Sequence, residues 1–472
     1  MVELKKIDNF TWKIEKSGKM NVPVIIYASK KILDFIKKDS TLQQAQNMSM
    51  LQGVVKNIIV LPDAHQGYGA CIGGVAAYDV DKGVVSPGEI GYDINCSVRL
   101  LRTNLMKEDI TDKRKEISKA LYKAVPSGIG KGTKIKLTKS EMQEILEKGA
   151  KWAVEKDLGE EEDLEYCEEN GCMEEADSKF VSQAAISRGI NQLGSIGSGN
   201  HFLEIQYVDE IFDEKTAEIF GLKENQAVIM IHCGSRGLGH QVASDYIKKM
   251  DDIYGHENLP DRQLTYAPIN SEVGKEYYKA MCAAANFAFC NKQVITHLVR
   301  KCLKELFPKF KADVVYDVCH NMAKFEEHEI NGKKIKLCIH RKGATRSLGS
   351  GRKEIPKKYS SVGQPVLIPG SMGTASYVLV GTSEAEKLSF SSTAHGAGRV
   401  MSRSEALRKL NREKILEEME EKNITLTAGS LKGFVEEAPE VYKDVDEVVK
   451  VSDELGIGKI VAKLKPVVVI KG

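Results

Sequence analysis

Apolar residues recur at three- and four-residue spacing over residues 271–307 ("SEVGKEYYKAMCAAANFAFCNKQVITHLVRKCLKELF"), the period of one helix face, and predict one long helix or two abutting ones. The same period predicts an amphipathic helix over residues 402–423, with Ser402 or Ser404 as its cap, and another over residues 112–125. Between them lie short runs rich in β-branched residues: "NIIVLP", "AVIMIHC", "VVYDVC", "KIKLCIH", "PVLIP", "YVLVG" and "PVVVI". "DVDKGVV" reads as a tight hairpin turn. With no internal repeat, low-complexity tract or obvious linker, this alternation predicts an α+β fold. The expected form is a single composite domain over residues 1–472, with mixed or antiparallel sheets flanked by helices.

Composition narrows the class. The chain has 472 residues, 42% of them hydrophobic, enough for a large core. No window approaches eighteen uncharged apolar residues, so no membrane span is expected. The first twenty residues are charged and lack the apolar centre of a secretory signal. Ten cysteines scattered singly through core-like segments fit reduced thiols and a cytoplasmic protein. A net charge of +2 argues against a nonspecific polycation and leaves room for a local basic groove. The acidic stretch over residues 155–177 reads as a solvated surface excursion, and its Cys167 and Cys172 lack the second pair of a zinc finger.

Chemistry concentrates where strand-like runs end in glycine-rich turns that also carry histidine: "PDAHQGYGACIGG", "GSIGSGNHFLE", "IHCGSRGLGH", "HRKGATR" and "AHGAGR". Six of the ten histidines (His65, His201, His232, His240, His340 and His395) lie in or beside such turns. Asp93 and Cys96 in "GYDINC", with His201, His232 and His320, make a donor set too large for one tetrahedral structural site. Two adjacent ions fit it if the Cys96 sulfur bridges. The mixture of thiolate, imidazole and carboxylate suits a borderline ion such as Mn²⁺ or Zn²⁺ better than Mg²⁺. "PGSMGTAS" and "HGAGR" have the make-up of backbone cradles for phosphate. No GxxxxGK[ST] loop and no lysine-centred nucleotidyltransfer motif is found, so the best nucleophile is His395, whose neutral imidazole can attack an α-phosphorus.

These motifs, together with "GYDINCSVR", "YDVCHN", "VLIPGSMGTASYVL", "EAPEVYKDVDEVV" and the final "KG", resemble the RtcB-type RNA-splicing ligases over nearly the whole chain. The resemblance implies an RtcB-like α+β fold. It also implies a GTP- and Mn²⁺-dependent RNA ligase joining 2′,3′-cyclic phosphate or 3′-phosphate ends to 5′-hydroxyl ends, in tRNA splicing or RNA repair. His395 matches the histidine that is guanylylated. Cys96, His232 and His320 match the ligands of one manganese, and Asp93, Cys96 and His201 those of the other. Guanylate contacts are implied for Asn200, His201, Phe202, Leu203, Glu204, His320, Asn321, Pro369, Gly370, Ser371, Met372, Ser376, His395, Gly396, Ala397, Gly398, Tyr442 and Lys471. RNA-phosphate contacts are implied for Arg188, Arg236, Lys342, Arg399 and Arg403. The expected partners are tRNA halves or broken RNA and an archease-like activator, acting on a monomer. The resemblance departs from the family pattern at Gln66, Glu89, Ser97 and Cys233 without losing a ligand or the nucleophile, although Cys233 adds a soft donor beside His232.

Overall fold

A computed structural model describes residues 3–128, 133, 135–429 and 431–472. Two large sheets organise it. The first runs, in spatial order, Lys5–Lys6, Thr11–Ile14, Val24–Tyr27, Ile58–His65, Ile72–Asp79, Lys333–Lys342 and Asn321–Ile330. The second runs Ala312–Cys319, Ser97–Met106, Gln226–Cys233, Phe202–Ile211, Lys459–Lys471, Ser376–Val380 and Pro365–Ile368, with Thr425–Ala428 added in parallel to Lys459–Lys471. Apart from that pair and the parallel contact of Val24–Tyr27 with Ile58–His65, the ladders within both sheets are antiparallel. The α+β expectation therefore holds, and each strand-like run of the sequence lies in one of these strands.

The long apolar period forms one unbroken helix, Glu272–Leu306, whose Ser271 hydroxyl accepts from the Gly274 amide at 3.1 Å. Its run Ala283, Ala284 and Ala285 is fully buried, so small side chains let the backbone lie close against the rest of the core. Helix Arg114–Ala124 falls where the third period predicted it. The stretch expected as one helix over residues 402–423 is instead two, Arg403–Lys409 and Arg412–Glu421. Leu410 is extended and the Asn411 side chain accepts from the Lys414 amide at 3.1 Å, restarting the helix with a cap that the amphipathic period does not register.

Two further expectations are corrected. "DVDKGVV" does turn, with Gly83 N–H donating to Asp79 O, but it makes no hairpin: Val84–Val85 pairs with Ala267–Pro268. Strand Ile72–Asp79 already has a neighbour on each edge, so no edge remains for the returning chain. The acidic stretch over residues 155–177 is not simply a surface excursion. Asp163 accepts from both Arg300 guanidinium nitrogens at 2.6 and 2.7 Å, and Glu168 meets Lys324 at 2.7 Å and Arg346 at 3.0 Å, all buried. The partners come from distant strands and helices, which a local charge count cannot reveal.

Sheet order places the chemistry. Four neighbouring strands of the second sheet end at one rim. His320 follows Ala312–Cys319, Cys96 precedes Ser97–Met106, His232 lies near the end of Gln226–Cys233, and His201 precedes Phe202–Ile211. His320 is the single residue between strand Ala312–Cys319 of the second sheet and Asn321–Ile330 of the first. The rim is therefore the seam between the sheets.

Candidate active site

At this seam the sulfur of Cys96 lies 3.3 Å from His201 Nε2 and 3.2 Å from His232 Nε2, and His232 Nε2 lies 3.4 Å from His320 Nε2. Asp93 Oδ2 is 2.8 Å from His201 Nε2. The five donors singled out in the sequence thus converge, and Cys96, His201 and His232 offer ligand atoms within 4.8 Å of one another. The loop carrying them is held by backbone: Asn95 N–H donates to Asn321 O, His320 N–H to Cys96 O, and Cys96 N–H to Asp93 O. Asn95 adopts a φ of 51°, a left-handed conformation that asparagine tolerates, and its amide side chain donates to Ala285 O on the long helix.

The donor set fits divalent ions. Burial, reinforced by the neighbouring histidines, keeps His232 and His320 well below the ordinary imidazole range, so they are neutral and able to donate lone pairs. Burial works against ionised Asp93, yet His201 beside it holds its carboxyl low. Burial and Asp93 push the Cys96 thiol up to about 12, a thiol that a metal would deprotonate. Asp93 Oδ1 is buried with no hydrogen-bond partner among the described residues, a lone pair facing no donor. Cys233 does not join the donors, because its sulfur lies 3.3 Å from Ser195 O and 3.2 Å from Ile196 O, to which the thiol donates.

His395 follows strand Ser392–Ala394 and its ring centroid lies 4.8 Å from that of His320. Its Nδ1 is 2.5 Å from Asp63 Oδ2, which also accepts from the backbone amides of His395 at 2.9 Å and Gly396 at 3.3 Å. A carboxylate only accepts, so Nδ1 carries the proton and Nε2 keeps the free lone pair. Burial opposes ionisation of Asp63, but His395 and Lys443 hold its carboxyl below the usual range. The Lys443 ammonium donates to the carbonyls of Pro62 and Ala64 on either side of Asp63, and burial brings this lysine down to about 8. Gly398, at φ 74°, passes so near Asp63 that a Cβ there would sit 1.9 Å from the Asp63 carbonyl oxygen.

A cavity beside His395 is lined by Asn200, Phe202, Pro369, Gly370, Ser371, Gly396, Ala397, Gly398, Tyr442 and Lys471, all singled out above. Lys471 is buried in strand Lys459–Lys471, 3.6 Å from Glu437, which also meets Arg399 at 3.1 Å and the Tyr442 hydroxyl. Other expected contacts stand behind the wall. Leu203 and Met372 pack into apolar clusters. The Ser376 hydroxyl accepts from the Gly370 amide at 3.2 Å, and Asn321 binds the Asp93 carbonyl and the Gly343 amide. Burial raises Glu204, hydrogen-bonded to Gln206, to about 7.

Among the expected phosphate contacts, Arg399 and Arg403 line the cavity, and Arg188 is exposed with a hydrogen bond to Gln241. Arg236 lies 3.3 Å from His201 Nδ1. Lys342 is a correction. Its ammonium is buried and donates to the carbonyls of Tyr68, Ala70 and Gly88, so it braces loops instead of facing a phosphate. Two organising residues were passed over in the sequence, Asp63 and Glu437. Both lie inside quoted motifs, and a carboxylate buried against a histidine or a lysine has no local signature.

A sheet seam that gathers a thiol, a carboxylate and imidazoles beside an oriented histidine and a glycine-lined cavity has the make-up of an enzyme site that could hold divalent ions next to a nucleophile. The family described as tRNA-splicing ligase RtcB matches residues 44–472. The chain is 51% identical to the tRNA-splicing ligase RtcB of Thermococcus kodakarensis, covering 100% of this chain and 99% of that one, and 51% identical to that of Nanoarchaeum equitans, covering 100% of both. The RNA-splicing ligase RtcB homolog 1 of Entamoeba histolytica is 50% identical over 92% of this chain and 84% of its own. The chain belongs to the RtcB family and is an RNA ligase.

Proposed function

We propose that this ligase uses GTP and two Mn²⁺ ions to join RNA 3′-phosphate or 2′,3′-cyclic phosphate ends to 5′-hydroxyl ends, with tRNA halves or broken RNA as substrates. The observation that carries the reading is the Asp63–His395 pair, which leaves Nε2 as a fixed nucleophile beside the donor cluster. Manganese held by Cys96, His232 and His320, and by Asp93, Cys96 and His201, would supply Lewis-acid stabilisation of charge on phosphoryl oxygens.

The chain's own groups account for the rest. Nε2 attacks the α-phosphorus of GTP, a P–N bond forms, and pyrophosphate leaves with the electron pair of the broken P–O bond. Asp63 keeps the Nδ1 proton and stabilises the positive charge that the ring acquires. An oxygen of the RNA 3′-phosphate then displaces His395 from that phosphorus, and the ring is neutral again. The 5′-hydroxyl attacks the RNA phosphorus of the resulting diphosphate, GMP leaves, and a 3′,5′-phosphodiester remains. A cyclic end is first opened by water to a 3′-phosphate. Pro369–Ser371 and Gly396–Gly398 bring backbone to the nucleotide phosphates, while Tyr442 and Lys471, tied to Glu437, form a polar wall.

Incubation with α-labelled GTP and Mn²⁺ tests this directly. The wild-type chain is expected to acquire acid-labile GMP. His395→Ala should acquire none, yet still seal RNA that already carries a 3′-guanylylated phosphate. Adduct formation by His395→Ala would move the nucleophile elsewhere.

A further inference from the structure

A second cavity, of about 610 Å³, opens beside the nucleotide pocket. Its volume lies within the roughly 300–1,000 Å³ typical of ligand sites. The two share His65, Ile72, Arg399 and Arg403 in their linings, so they adjoin, and we treat them as one channel that includes His395. The second cavity is also lined by the half-buried ring of Phe35, with the Lys38 ammonium over one face of it, 4.8 Å from the centroid. Among the described residues, Phe35 is part of none of the apolar clusters, so the core does not account for it.

The channel is cationic where it is free. Asp39 is committed to its own turn and the neighbouring loop, accepting from the Thr41 amide and hydroxyl and from the Gln66 amide at 2.9 Å. Glu405 is paired with Lys409 at 2.6 Å. Arg403 remains 58% exposed, with its nearest carboxylate, Glu436, 3.7 Å away. A flat aromatic face with cations beside it is what a single-stranded nucleic acid uses, because every base can stack and every nucleotide carries a phosphate.

Joining two ends requires two strand paths. Arg188 and Arg236 line neither cavity and are engaged elsewhere, by Gln241 and His201. The channel instead rests on the nucleophile's support, since His65 Nδ1 is 3.1 Å from the Asp63 carbonyl and Asp63 holds His395. The end that must meet the phosphorus on His395 is the one bearing the 3′-phosphate. We propose that this channel seats the 3′-phosphate RNA strand, with a base stacked on Phe35 and backbone phosphates on Lys38 and Arg403. The strand assignment rests on the reaction proposed above.

The test uses the full chain and its variants Phe35→Ala and Lys38→Glu, with a 3′-phosphate oligoribonucleotide and a separate 5′-hydroxyl oligoribonucleotide as probes. GMP labelling from GTP, which needs no RNA, serves as the control for folding. Each variant is expected to raise the KM for the 3′-phosphate strand at least about fivefold, the loss of one stacking or phosphate contact, while the KM for the 5′-hydroxyl strand stays put. Phe35→Tyr and Lys38→Arg should behave as wild type. An unchanged KM for the 3′-phosphate strand, or a rise confined to the 5′-hydroxyl strand, overturns the proposal. Fluorescence anisotropy of the 3′-phosphate probe without GTP reads the same contact independently. Weakened probe binding by the variants, together with a wild-type chain that forms no GMP adduct, would refute the nucleotidyl mechanism and keep the channel.

Discussion

His395 is useful because of what its other ring nitrogen touches. Asp63 fixes the Nδ1–H tautomer through one side-chain and two backbone donors. Asp63→Asn keeps the shape but removes the charge that stabilises a positive ring and allows the amide to offer its NH₂ instead. The rate of GMP-adduct formation is expected to fall about 10²- to 10⁴-fold, as when general acid–base support is lost, with GTP binding little altered. Single-turnover labelling checks it, and an unchanged rate would remove Asp63 from the chemistry. Cys96 is the complementary case. It sits between His201 and His232, and Cys96→Ala should leave at most one weakly held Mn²⁺ per chain by metal analysis. Two tightly held ions in that variant would end its bridging assignment.

Single strands and helices matter through the charges they lock together behind the site. Asp317, on strand Ala312–Cys319, is fully buried, with Arg99 of the neighbouring strand at 2.9 Å and Lys292 of the long helix at 3.1 Å. Lys292 also reaches Ser97, next to Cys96. Removing one member of such a group strands the others in a dry interior. Asp317→Ala should therefore cost about 3–5 kcal/mol in a denaturant titration, unlike a surface carboxylate. A loss below about 1 kcal/mol would show that water reaches the two cations. Ser97 thus contributes to the brace that joins helix to sheet and holds the Asp93–Cys96 loop in place.

For the whole molecule, stability should carry a pH signature from Glu89. Its carboxyl is fully buried against the Tyr78 hydroxyl, 2.8 Å from each oxygen, and burial raises it from 4.5 to about 8. The folded chain therefore binds a proton that the unfolded chain has released between those values. That contribution is complete below about 4.5 and is lost as pH rises through about 8. Lys342, brought down to about 8 by burial, acts oppositely and above that value, while Glu204, raised to about 7, shares the lower window, so the Glu89 share is read from the difference between wild type and a Glu89 variant. Glu89→Gln keeps the hydrogen bond without a titrating group. Its unfolding free energy in denaturant titrations should overtake that of the wild type progressively from pH about 5 to about 8, by a few kcal/mol at most. Parallel curves would mean that Glu89 stays ionised.

Local pattern alone determined the helix Glu272–Leu306 and the strand runs and marked the side chains that cluster at the seam, because periodicity, glycine-rich turns and donor residue types are properties of neighbours in the chain. It also marked His395 and the cavity turns of Pro369–Ser371 and Gly396–Gly398. Only the tertiary structure decided which carboxylates are buried and what faces them. Asp63 was indistinguishable from a turn residue until strand Ile58–His65 met residue 395. Glu437 gained meaning from Lys471 and Arg399, and Asp163 left the surface for Arg300. Lys342 lost its phosphate to three carbonyls. The reason is common to all four. A buried charge is defined by partners hundreds or tens of residues away, and the strand order that unites them is set by the packing of both sheets, which no local window contains.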